Sequence, residues 1–229
     1  VYKRQDWDAV NNVTSVTNHT NRVELACTST QGLTTPKISI SFPDEGYFRM
    51  QFEPFTAPTW ATGSTDYTVD ESNPDYVWIH GPSISLKINK APYQMEVYDE
   101  NGELITKESD RSGYRSLAFK TNGTDYVNQV EENLFTSSDE SFTGFGMRYD
   151  ALNQRGKNVD IYAVNWYLEQ ENKTYLPIPF YFSNQGYGTY LNSTYYTQYR
   201  LATDSTDRAT IRANAGGTVN QGMDLYFFT

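Results

Sequence analysis

Apolar and polar residues alternate along most of this chain with the two-residue period of β-strands. In KISISF (37–42) every second side chain is apolar, and the same holds in YFRMQF (47–52), after a turn that contains Gly46. Alternation on both sides of a glycine-containing turn predicts a β-hairpin with its apolar side chains facing a core. The same period recurs, and predicts further strands, at 84–88, 93–97, 178–182 and 223–227.

Helical periodicity is nearly absent. Only residues 125–135 (DYVNQVEENLF) have a spacing that fits a short helical turn. Many short strands with almost no helix predict a β-sandwich or a barrel. Because neither an internal repeat nor a low-complexity linker divides the chain, we expect a single all-β sandwich domain over residues 23–229, preceded by a polar, partly loose arm at residues 1–22.

Composition excludes several classes of function. The 28 acidic residues outnumber the 18 basic ones, and the net charge of -10 repels phosphate backbones, so nucleic acid is not an expected partner. No apolar run is long enough to span a membrane. One cysteine and two histidines predict no disulfide framework, no metal cluster and no cofactor, and the spacing around Cys27 predicts a small buried side chain.

The ends of the sequence predict a piece of a longer chain. It begins at Val1 without the apolar core of a signal peptide, and it stops directly after MDLYFF, which has the pattern of a strand.

The candidate catalytic residues do not form a recognisable set. A glycosidase needs two carboxyl groups at a fixed separation, and the sequence singles out no such pair. We expect solvated surface positions, because carboxylates are seldom buried, for Glu131, Glu132, Asp139, Glu140, Glu169 and Glu171. His80 has the chemistry of a general base, but its place before Gly81 and Pro82 favours a turn residue. No catalytic residue is therefore assigned.

Aromatic residues are abundant, with 19 tyrosines, 12 phenylalanines and 4 tryptophans. Tyrosine and tryptophan join a flat apolar face to a hydrogen-bonding edge, which suits both sugar rings and protein interfaces. Aromatic residues also form strands well, so the group at 162–167 has two interpretations, a structural one and a binding one.

Three segments in order, FTGFGMRYDALNQRGK (142–157), VDIYAVN (159–165) and TYLPIPFYFSNQGYGTYLNST (174–194), resemble the N-terminal domain of glycoside hydrolase family 31. The hairpin at 38–52 and the strand-turn unit at 83–105 are similar to earlier parts of that domain, so the resemblance covers about residues 22–229. It is nearest to the bacterial glucosyltransferase and isomaltosyl branch. Met147 stands where family members commonly have glutamate after the glycine pair, which leaves the specificity open.

The resemblance implies a galactose-mutarotase-like β-supersandwich that packs on a catalytic (β/α)8 barrel. In the family the barrel carries an aspartate nucleophile and an aspartate acid/base, and motifs of this kind are missing from the sequence. The chain is therefore expected to be the accessory domain of an α-glucosidase or related transferase, inactive alone, with the barrel of the same parent chain and an α-linked oligosaccharide as partners. The family also favours an extracellular or cell-surface bacterial location.

The resemblance also implies where this domain meets the substrate. One loop of the family's domain lines the sugar pocket, and by position it corresponds to residues 164–172, with the sugar contact at Asn165 and with Trp166 and Tyr167 beside it. The glycine- and arginine-rich stretch 141–158 leads into that loop. We expect a partly exposed domain interface at Phe142, Phe145, Tyr149, Arg155, Tyr226 and Phe228.

Two alternatives remain at this stage. A free-standing carbohydrate-binding module would use exposed aromatic residues. A true mutarotase needs a histidine and a carboxylate facing one sugar pocket, and only His19 and His80 are available for it.

Overall fold

The computed structural model describes residues 7–32, 34–55, 66–109, 116–121, 127–165, 172–215 and 222–229. Across these ranges every regular element is a β-strand, which confirms the all-β prediction. No helix in the described ranges is long and apolar enough to cross a membrane. The strands are β1 (Trp7–Asn18), β2 (Val23–Ser29), β3 (Lys37–Asp44), β4 (Tyr47–Glu53), β5 (Thr68–Asp70), β6 (Tyr76–His80), β7 (Ser85–Lys90), β8 (Tyr93–Tyr98), β9 (Leu104–Lys107), β10 (Leu117–Thr121), β11 (Val127–Phe135), β12 (Phe142–Gly146), β13 (Asn158–Ile161), β14 (Pro177–Ser183), β15 (Tyr187–Leu191), β16 (Thr197–Leu201), β17 (Arg208–Asn214) and β18 (Met223–Phe228).

The strands form two antiparallel sheets. The larger sheet has 13 strands in the order β12-β14-β15-β18-β4-β3-β2-β1-β10-β11-β17-β16-β13, and the smaller has five in the order β5-β6-β7-β8-β9. The predicted hairpin of 37–52 is present as β3 and β4, with Ile40 opposite Met50.

Strand β1 joins the two halves of the large sheet. Its first residues pair with β10, its remainder pairs with β2, and the register shifts between Val10 and Val13 and again between Val13 and Ser15. Such bulges bend a strand, so β1 can pair with β10 before the bend and with β2 after it. Residues 7–18 of the predicted arm form this strand, in which Ala9 and Val10 are buried.

The large sheet folds over so that its two halves face each other across the core. Phe52 of β4 packs against Phe119 of β10 with their ring centroids 5.9 Å apart. At the far ends of the sheet, the Tyr199 hydroxyl of β16 donates a 3.1 Å hydrogen bond to the Pro179 carbonyl of β14. This arrangement is the two-layered supersandwich that the resemblance implies.

The small sheet lays its apolar side over the edge of this core. Val77, Ile79 and Leu86 are fully buried, while the alternate residues of β6 and β7 point outward. The Phe42 ring stacks on Tyr67 at 6.0 Å where the two sheets meet. The outward side of the small sheet is consequently a surface separate from the outward sides of the large sheet.

Residues 127–135 form a strand, so the expectation of a helical turn there is wrong. The prediction that the nearby carboxylates are solvated is also wrong for Glu131, Glu132 and Glu140, which are buried. Glu131 accepts a 2.6 Å hydrogen bond from Arg212 Nε. Glu140 accepts hydrogen bonds from Ser183 Oγ (2.6 Å) and the Tyr187 hydroxyl (2.8 Å). Burial of a carboxylate is tolerated where such donors replace water.

Candidate functional site

The Gly144-Phe145-Gly146 segment adopts a backbone that needs both glycines. The φ angles of the three residues are 126°, 64° and 83°. A Cβ at Gly144 would lie 2.8 Å from the Phe180 carbonyl oxygen, and one at Gly146 would lie 1.9 Å from the Leu176 carbonyl oxygen. The glycines therefore combine left-handed φ values with a close approach of β12 to β14.

This backbone turns Phe145 into the core. Its ring lies 5.4 Å from Tyr181 and 5.0 Å from Tyr199, and Phe142 also packs on Tyr181, at 5.4 Å. Phe142 and Phe145 are fully buried, so the expectation that they are exposed at a domain interface is wrong. They are part of the sandwich core.

Gly146→Ala is expected to lower the free energy of unfolding by about 2 to 4 kcal/mol, because strain at positive φ adds to a backbone clash. The matched control is Gly156→Ala, where φ is 79° but the added Cβ meets no atom within 4 Å. Urea unfolding of both variants separates the clash from the φ strain. Equal losses in the two variants would show that the approach of β12 to β14 contributes nothing.

Arg148, two residues after the turn, bridges Asn172, at the end of the segment predicted to line the sugar pocket, and Asp160, which precedes that segment. Its Nη1 donates to the Asn172 carbonyl at 2.7 Å, and its Nη2 donates to the Asp160 carbonyl at 3.1 Å. Burial lowers the pKa of the guanidinium, while Asp150 and Asp160 act in the opposite direction. Arginine stays charged in proteins, so this contact is a fixed, charged clamp.

Further hydrogen bonds close the base of the same loop. The Asn172 side-chain amide donates to Asp160 Oδ2 at 2.8 Å, and the Asp160 amide donates to the Asn172 carbonyl at 3.0 Å. The Val164 amide donates to the Thr174 carbonyl at 3.0 Å. Residues 164–172 are thus held at both ends, and Asn165 is exposed at the base. Trp166 and Tyr167 lie outside the described residues, so their predicted sugar contacts stay predictions.

A surface of aromatic rings covers the outward side of β14, β15, β18 and β4. Phe182, Phe180, Phe228, Tyr47, Tyr226 and Tyr190 follow one another with ring centroids 4.5, 5.8, 5.2, 5.9 and 5.8 Å apart. Ile178 lies on the same side of β14, with an exposed fraction of 50%, and Phe182 reaches 56%. We call these seven residues the aromatic face.

Exposed apolar residues also surround the loop base. Leu176, just before β14, is 60% exposed, and Tyr149 is 68% exposed and lies 6.5 Å from the Tyr175 ring. The Met147 amide donates to the Leu176 carbonyl at 3.2 Å, which places Met147 beside them. Of the five aromatic residues predicted to be exposed, Tyr149, Tyr226 and Phe228 are at least partly so, and the last two both belong to the aromatic face.

The family model of the glycosyl hydrolase 31 N-terminal galactose mutarotase-like domain matches residues 37–199. The chain belongs to this family. An isomaltosyltransferase of Sporosarcina globispora is 36% identical to the chain over 96% of its length, which corresponds to 20% of that protein.

Solved structures of family 31 enzymes agree. The cycloalternan-forming enzyme of Listeria monocytogenes, solved with a pentasaccharide substrate, superposes with a TM-score of 0.93 at 36% identity, over 98% of this chain and 21% of that one. A family 31 dextranase of Flavobacterium johnsoniae shares the fold, with a TM-score of 0.77 at 22% identity, over 96% of this chain and 26% of that one. The chain thus spans about a fifth of the two relatives at 36% identity.

In this family 31 domain, Arg155 holds segments of its own chain together. Its Nη1 donates to Thr136 Oγ1 at 2.8 Å, and its Nη2 donates to the Thr206 carbonyl at 2.7 Å. These contacts give the residue a structural role, and its place in a domain interface stays a prediction.

Sequence reasoning did not find the most exposed part of the aromatic face. The PIPFYFS strand alternates in a way that predicted Ile178, Phe180 and Phe182 to face the core, but the structure buries Tyr181 instead. The sequence did contain a signal for this surface, since aromatic residues occupy both sides of the strand. A strand with one side in water usually has polar residues on that side.

Proposed function

We propose that this domain packs through its aromatic face on a catalytic (β/α)8 barrel of the same chain, in an enzyme that cleaves and transfers α-linked glucose oligosaccharides. The relatives support this proposal, since the domain fills only about a fifth of the isomaltosyltransferase and of the cycloalternan-forming enzyme. Both names describe glycosyl transfer or cyclisation, which favours transfer over simple α-glucosidase hydrolysis.

The aromatic face is the observation that carries the packing part of the proposal. Monomeric proteins seldom leave more than a few hundred Å² of contiguous apolar surface in water. Here the rings of six aromatic residues are linked at centroid distances below 6 Å on one outward side, and Ile178 extends the surface along β14. A second domain that covers this face would remove it from water and stabilise the pair.

The loop base supports the second part, in which residues 164–172 line the substrate pocket. The Arg148 clamp and the Asp160–Asn172 hydrogen bonds hold the described residues on either side of the loop, so its two points of attachment to the domain are fixed. Such preorganisation lowers the cost of ordering a binding loop. Asn165 offers an amide that donates to and accepts from sugar hydroxyls.

The domain itself supplies no reaction step in this proposal. The buried carboxylates Glu131 and Glu140 are bound to neighbouring side chains and do not face an open cleft. Retaining cleavage needs two carboxyl groups about 5 Å apart across the scissile bond, and we assign both to the barrel.

We expect Asn165→Ala, in the enzyme that carries both domains, to lower kcat/KM for isomalto-oligosaccharides about 5- to 150-fold, because a hydrogen bond to the bound sugar is lost. The melting temperature should not change. Gln31→Ala, which removes an exposed amide in the turn after β2, is the control and should keep wild-type kinetics.

The isolated chain should release nothing from aryl α-glucosides above the buffer rate. If Asn165→Ala keeps the wild-type kcat/KM, the loop at 164–172 does not line the substrate pocket. Turnover by the purified domain alone would contradict the assignment of catalysis to the barrel.

A further inference from the structure

A shallow groove lies on the outward side of the small sheet, which is a different sheet from the one that carries the aromatic face. It has a volume of about 470 Å³ and is lined by Tyr76, Trp78, His80, Lys87, Tyr98 and the turn at 99–102. That volume falls within the roughly 300 to 1,000 Å³ of small-molecule sites. We call it the Trp78 groove.

Aromatic rings form one wall of the Trp78 groove. The Trp78 indole stacks on the His80 imidazole with 5.5 Å between centroids and 10° between planes. Tyr98 of β8 lies 5.1 Å from the indole, and Tyr76 meets it edge-on at 6.4 Å. Trp78 is half-buried among these neighbours, so its ring is held in place before any ligand arrives.

Polar groups lie beside the rings and are themselves held by hydrogen bonds. The Tyr98 hydroxyl donates to Glu96 Oε2 at 2.6 Å, and Lys87 Nζ donates to the same oxygen at 3.3 Å. His80 Nδ1 lies 2.9 Å from Ser85 Oγ. An ammonium has three donors and an imidazole has a second nitrogen, so Lys87 and His80 keep hydrogen-bonding capacity for a ligand.

The chemistry of the Trp78 groove selects a neutral polyol. A pyranose ring offers an apolar face to an aromatic ring and hydroxyl groups around its edge, which matches an indole flanked by an ammonium, an imidazole and a hydroxyl. An anionic ligand is disfavoured, because Lys87 is the one lysine or arginine among the lining residues, Asp99 and Glu100 are also present, and the chain carries a net charge of -10.

We infer that the Trp78 groove is a sugar-binding site for a short α-linked glucan, separate from the loop at 164–172. That the ligand is a neutral sugar follows from the groove alone, and the choice of an α-linked glucan rests on the proposed function. Such a site holds a longer substrate chain on the domain while the enzyme acts on its end.

The test titrates the chain with isomaltotriose and with maltotriose, measured by calorimetry and by tryptophan fluorescence. We expect weak binding of at least one of them with a dissociation constant near the millimolar range. Trp78→Ala should weaken it at least tenfold, and His80→Ala, at an exposed position, by several-fold. Tyr195→Ala, an exposed tyrosine that belongs neither to the groove nor to the loop at 164–172, is the matched control and should bind like wild type.

Absence of heat and of any fluorescence change with both trisaccharides in folded wild-type chain would overturn the inference, as would binding that Trp78→Ala leaves intact. If Trp78→Ala fails to fold, His80→Ala decides between the outcomes. The proposed function is tested independently, because Trp78→Ala should leave kcat/KM for short aryl glycosides unchanged in the two-domain enzyme, whereas Asn165→Ala should not.

Discussion

Glu132→Gln is expected to raise the free energy of unfolding by at least about 1 kcal/mol at pH 7 and by almost nothing at pH 4. Glu132 is fully buried, and its carboxyl group lies beside that of Glu108 and the backbone amide of Asn133. Burial raises the pKa of Glu132 well above its ordinary range, and the neighbouring Glu108 raises it further.

Glu108 is the better supported member of this pair. Its Oε1 accepts from the Tyr93 hydroxyl at 3.0 Å, and its Oε2 accepts from the Met95 amide at 2.6 Å. Burial nevertheless raises the pKa of Glu108 to about 8, and the hydrogen bonds only partly offset it. Because Glu108 has more hydrogen-bond donors around it than Glu132 has, a proton shared by the pair belongs on Glu132.

The sign of the pH dependence follows from these raised values. Below pH 4.5 both glutamates are protonated in the folded and the unfolded chain, so their contribution to stability is fully present. As the pH rises above 4.5, the unfolded chain loses these protons, whereas the folded chain keeps them because the pKa of both groups is raised. Stability therefore falls by about 1.4 kcal/mol per pH unit for each group. Glutamine has the shape of the protonated acid and does not ionise. The substitution therefore removes the part of the pH-dependent loss of stability that comes from Glu132.

Urea unfolding at several pH values from 4 to 8 measures this effect. Glu45→Gln, the same change at an exposed carboxylate, is the control and should leave the curve unchanged. A gain from Glu132→Gln that stays constant from pH 4 to pH 8 would mean that Glu132 is not held neutral in the folded protein.

The alternation of apolar residues was sufficient to predict the strands and much of the core, as in Ile38, Ile40 and Phe42, because side chains of a half-buried strand point to each side in turn. It was not sufficient for Glu132 or Phe145. Glu132 is buried beside Glu108, a residue distant in the sequence, and burial of Phe145 depends on a positive φ that a period-two pattern does not contain.

The candidate sites were predictable only in part. The sequence YVWIH already placed Tyr76, Trp78 and His80 on one side of a strand, but it did not indicate that Tyr98 of β8 would complete the wall of the Trp78 groove. Register between strands is a tertiary property, set by the turns and by the burial of the opposite side.

The double variant Ile178→Lys/Phe182→Lys is expected to lower kcat/KM of the two-domain enzyme at least a hundredfold while leaving the isolated domain folded. Both side chains project outward from β14 and are about half exposed, so the substitutions remove no core contact. In a covered interface, however, two lysines lose their hydration without a partner, which costs several kcal/mol. The aromatic face would then separate from the barrel and carry the loop at 164–172 away from the substrate.

The matched control for the aromatic face is Leu104→Lys, which adds a lysine at an apolar side chain of similar exposure, 49%, on β9 of the small sheet. The control should keep wild-type kinetics. Limited proteolysis and small-angle scattering of the two-domain enzyme should show the domains apart in the double variant alone. If the double variant keeps wild-type kcat/KM and a closed shape, the barrel does not cover the aromatic face. The apolar residues of the loop base, Met147, Tyr149, Tyr175 and Leu176, would then be the next surface to test, because they are exposed beside the loop at 164–172.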